Sequence, residues 1–177
     1  MWKRLKAKLK EKKGIGSIEI VICSLIIIMM IGGLVDMIQI TQKLDTVGQT
    51  TGYVARTIQK QGGVQTMKIP NFHGKYTTTP VLYENVKEMM AANGIPEEDW
   101  KLSVSVGNQI YPITPSTSVP IVDYGHRMKV ILEVKYRWTV LSNMIPVGLE
   151  ATKDSIREVL SGYQIRDGEG MGSDLSL

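Results

Sequence analysis

The chain of 177 residues contains one cysteine, two histidines and one phenylalanine. With Cys23 alone no intrachain disulfide can form, and cysteine usage says nothing about compartment. Cys23 lies in an apolar run, and Ile22 stands before it where a lipoprotein signal needs a small residue, so it reads as a small apolar side chain. His73 and His126 lie far apart, without HExxH-like spacing or a cysteine cluster, and neither is expected to hold a metal. The patterns GxSxG, GxxxxGKS/T and GxGxxG are missing. The acidic run Glu97-Glu98-Asp99 lacks EF-hand ligand spacing. No catalytic residue, metal or cofactor is therefore expected, and nothing in the sequence asks for an enzyme.

The net charge of +4 suggests an acidic partner until its distribution is read. Residues 1–14 carry seven basic residues (Lys3, Arg4, Lys6, Lys8, Lys10, Lys12, Lys13) against one acid, Glu11; the remainder holds 14 basic and 16 acidic residues. The basicity belongs to the N-terminal stem, and no nucleic-acid footprint is left outside it. A basic stem directly before an apolar run marks the cytoplasmic side of a membrane segment. Within the stem, Trp2, Leu5 and Leu9 alternate with the cations as in a short amphipathic helix on a membrane surface.

From 15 to 35 the chain is almost wholly apolar, and as a helix these residues reach about 31 Å, enough to cross a bilayer core. A secretory signal has a shorter apolar region and a small-x-small cleavage site, of which Ile31-Gly32-Gly33 is a poor version. The segment reads as a retained, single-pass membrane helix with the C-terminal part outside. Glu19 is its anomaly: an acidic side chain at the centre of a membrane helix costs about 2.5–3.5 kcal/mol, less near the edge, and usually marks function. Gly32 and Gly33 cost about 1 kcal/mol each relative to alanine and mark either a flexible point or close packing against a neighbouring helix.

Apolar spacing continues beyond the membrane segment. Met37, Ile40, Leu44, Val47, Thr51, Val54 and Ile58 follow a 3-4 pattern that Gly62-Gly63 stops. One helix over about 17–61 is predicted, its outer seam packed on the chain's own C-terminal part. Pro70, Gly74 and Pro80 make 64–80 irregular, with a short strand at 76–79. A second helix is predicted at 81–93, a strand at 102–106, a return strand near 110–113, and a loop through three prolines at 112–120. The alternation of Met128, Val130, Leu132, Val134, Tyr136 and Trp138 predicts a long central antiparallel strand over 127–140. Residues 149–163 fit both helix and strand. The expected architecture is α+β: a basic leader at 1–14, a membrane-spanning helix at 15–36, its extracytoplasmic continuation at 37–62, and an α+β domain at 63–166. That domain holds one accessory helix and an antiparallel sheet of about four strands. A flexible tail follows at 167–177.

Lys12-Lys13-Gly14, four residues, Glu19 and the aliphatic run resemble the leader of type IV prepilins, the class III signal peptide. The resemblance implies that a prepilin peptidase cuts between Gly14 and Ile15, making Ile15 the new N-terminus and Glu19 the fifth mature residue. A new α-amino group has a pKa of about 8 and is cationic at neutral pH. The Glu19 carboxylate can neutralise that of an adjacent subunit, and one such pair in a dry setting fixes axial register. Within these families the chain is most similar to TadE-like minor pseudopilins of the Tad (tight adherence) branch, through the leader, the membrane helix and the continuation over 44–56. Ile15 replaces the usual first mature Phe, and Ile20 the Tyr that follows the glutamate in Tad major pilins; both departures point to a minor subunit. The family's β-rich ending favours a strand over 149–160. The implied partners are the prepilin peptidase, other pilins, an inner-membrane assembly platform and membrane lipid, in a pilus serving adhesion or secretion. The alternative is an unprocessed single-span anchor presenting a binding module, or a conjugation or secretion component.

Overall fold

The computed structural model describes residues 2–70, 72, 74–140 and 150–164, with side chains from Glu19 onward. It is α+β, with helices α1 (Trp2–Gln61) and α2 (Thr79–Ala91), a 3-10 turn at Glu97–Asp99, and strands β1 (Trp100–Val106), β2 (Gln109–Pro112), β3 (Arg127–Arg137) and β4 (Glu150–Leu160). The chain divides into two compact units. The described residues of the first are 2–41, 137–140 and Glu150, and the second takes the rest.

In the second unit, the strands form one open antiparallel sheet in the order β2-β1-β3-β4. Gly107, at φ 60°, turns the β1–β2 hairpin, and its two-residue loop matches the twist of the strands it joins. β3 pairs with β1 from Trp100 opposite Val134 to Val106 opposite Met128. Period-two alternation puts Met128, Val130, Leu132, Val134 and Tyr136 on the buried face, as expected from the sequence. The strand is shorter than predicted: β3 ends at Arg137, Trp138 is half-buried outside the ladder, and Thr139 and Val140 are helical. Residues 150–160 are a strand, so the choice left open by their periodicity falls on β4; Leu149 lies outside the described residues. Nearly every β4 side chain is exposed.

The sheet's buried face meets Val47, Val54 and Ile58 of α1 and Leu82, Val86 and Met90 of α2 in a single core. From Val47 to Ile58 the predicted seam of α1 thus packs within the chain, and its polar member takes part: Thr51 Oγ1 lies 3.1 Å from Ser155 Oγ on β4. Gly52 leaves room for the Arg157 guanidinium, which a Cβ there would meet at 3.3 Å. The helix ends where the glycine pair predicts. Gly62 takes φ 71°, a conformation other residues rarely adopt, and a Cβ on it would lie 2.6 Å from the Val122 carbonyl oxygen. At Gly63 a Cβ would run into the Pro120 carbonyl. Those contacts belong to the strand-like strap 119–122, which Val119 N–H ties to Val64 O (2.7 Å) and Val122 N–H to Gly62 O (2.9 Å).

Two local expectations are corrected. Residues 76–78 form no strand, and α2 starts at Thr79 rather than Val81. Pro80 initiates the helix instead of breaking a loop, because its missing N–H is one the first turn leaves unpaired anyway. α2 ends in a Schellman motif: Ile95 N–H bonds Met90 O, Gly94 N–H bonds Ala91 O, and Gly94 takes φ 67°.

Beside α2, the Tyr83 hydroxyl donates to Glu97 Oε1 at 2.5 Å and Lys87 Nζ lies 2.7 Å from Glu97 Oε2. The hydrogen bond to Glu97 pushes the Tyr83 phenol up to about 12. Lys87, then Tyr83, hold the Glu97 carboxyl below its ordinary value of 4.5. Glu97's contribution to stability is therefore present above the ordinary carboxylate range and lost as pH falls through the lowered pKa. Tyr83's is present below 10.0 and lost as pH rises toward about 12. An NMR titration of the full chain in detergent micelles should find Glu97 titrating below 4.5, and Tyr83→Phe should move it upward. A wild-type Glu97 midpoint at or above 4.5 contradicts the arrangement.

Candidate functional site on the N-terminal helix

Gly14, Ile15 and Glu19 all lie in helical backbone of α1. The Glu19 side chain is exposed and opens a run of exposed aliphatic residues that includes Ile20, Ile27 and Leu34. From Glu19 on, α1 is long and apolar enough to cross a membrane. Aliphatic side chains on all sides of a helix are what a lipid environment or a bundle of like helices requires. Cys23 is exposed within this run.

Further along, one face of the helix becomes covered. Gly32 is buried and Gly33 half-buried, both in unbroken helix. Four residues after Gly32, on the same face, Asp36 is only 1 % exposed, whereas Met37 is 63 % exposed. The covered stripe then runs through half-buried Ile40 and Leu44 to buried Val47, Thr51, Val54 and Ile58. Of the predicted seam residues, Met37 is thus the one misplaced. The position one turn before Ile40 is Asp36, and the stripe continues there.

Asp36 is the functional candidate that sequence reasoning passed over. Within the first unit, Val140 N–H donates to both its carboxylate oxygens, at 2.9 Å to Oδ1 and 3.1 Å to Oδ2. Val140 stands in the first turn of a helical segment, where backbone N–H groups have no intrahelical acceptor. An ion pair between Arg137 and Glu150 (3.2 Å) joins the two ends of the connection that contains Val140. The one signal available was an acidic residue between Val35 and Met37, inside the aliphatic pattern rather than after it.

In the second unit, an open cavity of about 210 Å³ is lined by Leu44, Val47, Tyr136, Lys153, Asp154 and Ser155. Burial pushes the Tyr136 phenol upward. Among the described residues no group of three or more His, Cys, Asp or Glu side chains is placed to hold a metal. His126 is exposed, with Nδ1 3.1 Å from Asp123 O, and His73 lies outside the described residues. No protein-family model, curated protein or solved structure matches the chain.

Removing the Asp36 carboxylate leaves a half-buried backbone donor without this acceptor, at a cost of about 1–3 kcal/mol when no water replaces it. In Asp36→Ala, the Val140 amide should exchange with solvent roughly 10- to 100-fold faster than in the native chain. Unchanged exchange at Val140 means that Asp36 does not hold this segment.

Proposed function

We propose that the chain is a minor pilin-like subunit, a TadE-like pseudopilin of the Tad branch, stored in the membrane and assembled with other pilins into a surface filament used in adhesion or secretion. The observation that carries the reading is the exposure profile of α1: an acidic residue, then a run of exposed aliphatic side chains, then a stripe buried in the chain's own core. A helix built this way needs a cover for its first half that its own chain does not supply. Lipid supplies it before assembly and the aliphatic helices of neighbouring subunits supply it afterwards, since both are equally apolar. Transfer from one to the other costs little hydrophobic energy. Glu19 gives the transfer its specificity by pairing with the α-amino group of an adjacent subunit in a dry setting.

In this reading the basic stem 1–14 faces the cytoplasm, and a prepilin peptidase removes it between Gly14 and Ile15. The outer part of the chain is extracytoplasmic, and the role is structural rather than catalytic. Its partners are the peptidase, other pilins, an inner-membrane assembly platform and the lipid that holds α1.

Co-expression with a prepilin peptidase tests the reading. Intact-mass measurement should show loss of residues 1–14, abolished in Gly14→Ala. Glu19→Ala should still be cut but enter filaments about tenfold less, the equivalent of about 1.4 kcal/mol. A native protein with an intact N-terminus overturns the proposal in favour of an unprocessed single-span anchor.

A further inference from the structure

The apolar exposure of α1 does not stop at Asp36. Leu34, Met37 and Ile38 are all exposed, and 20–38 as a helix measures about 28 Å, close to the thickness of a hydrocarbon core. If α1 spans a membrane, as proposed above, Asp36 lies about 3 Å below the outer edge of that stretch, on the one face turned away from lipid. A carboxylate at that depth has to be satisfied from within the protein. Val140 N–H contributes to this at 2.9 and 3.1 Å, so Val140 lies at the same level. It stands two residues after Trp138, which is half-buried and lies outside the β-ladder. No charged residue occurs in the sequence between Arg137 and Glu150.

We infer that the segment Trp138–Val140 is a second membrane contact, seated in the outer leaflet at the boundary between headgroups and acyl chains, with Asp36 as the pin that sets its depth. Tryptophan is the residue suited to that boundary, its ring lying among acyl chains while its N–H meets the polar layer. Arg137, paired with Glu150, lies on the aqueous side. The occupant is lipid rather than a second copy of the chain, because the contact is continuous with the exposed aliphatic face of α1 at the same level. The two carboxylates within the apolar stretch and at its start thus have opposite settings. Glu19 is open at one end of the aliphatic run, and Asp36 is closed in at the other.

Tryptophan quenching in phosphatidylcholine nanodiscs holding at most one full-length chain tests this. Quenching of Trp138 is obtained as the difference between a Trp2→Phe chain and a Trp2→Phe, Trp138→Phe chain, which leaves buried Trp100 in place in both. Bromines near the carbonyl end of the acyl chains should quench the Trp138 component roughly twofold, and bromines near the chain terminus far less. Adding Asp36→Ala should abolish that depth preference. An Ile27→Trp substitution in the second chain reports on the membrane helix independently and should be quenched best by the deep bromines. Deep quenching at Ile27→Trp without shallow quenching at Trp138 overturns the inference and leaves the membrane helix standing. Absence of quenching at both positions overturns the membrane reading and the inference with it.

Discussion

A helix that exposes aliphatic side chains around its whole circumference has to be covered, and what covers α1 changes along its length. Over 20–35 the described side chains are nearly all open, apart from the face of Met29, Gly32 and Gly33. From Val47 to Ile58 the same helix carries part of a close-packed core with α2 and the sheet. The burial of a full aliphatic side chain contributes about 1.5–3 kcal/mol. Val47, Val54 and Ile58 therefore give the C-terminal part of α1 a strong local anchor, which the exposed aliphatic residues of 20–28 do not share.

The second unit is built to receive that helix and stop it. Gly62 and Gly63 end α1 where the strap 119–122 passes, at a distance that admits no Cβ. Gly52 makes a shallow seat for Arg157, and Thr51 turns a hydroxyl toward Ser155 instead of a methylene into the core. These polar and glycine contacts explain why the C-terminal part of α1 tolerates residues that weaken a free-standing helix. Gly48 is different: a Cβ there would meet nothing, and no packing reason for it is visible.

Elements with one clean periodicity and one buried face were legible from the sequence. β1 and β3 alternate with period two because one face is core and the other wet, and the seam of α1 beyond Ile40 shows its helical spacing for the same reason. β4 was ambiguous because it is an edge strand with few buried side chains, so neither period dominates. Its strand character came from the family resemblance, not from its own pattern. Pro80 misled because proline breaks a helix interior but favours a first turn. Asp36 was illegible for a deeper reason. A lone acid near the end of an aliphatic run looks like the end of a span, and its partner Val140 is 104 residues away, joined by no local pattern. Gly14 and Glu19 were found by motif, and the structure adds only that both are helical and that Glu19 is exposed.

Cys23 is a natural probe of the proposed membrane span, because it is the chain's one thiol and sits exposed in the aliphatic run. Full-length protein in vesicles, opened so that both faces meet the reagent, should leave Cys23 unlabelled by a charged, water-soluble maleimide until detergent is added. A cysteine placed at Tyr124, which is 71 % exposed, should label at once in a Cys23→Ser background. Labelling of Cys23 in intact bilayers as fast as that of Tyr124→Cys would contradict the account.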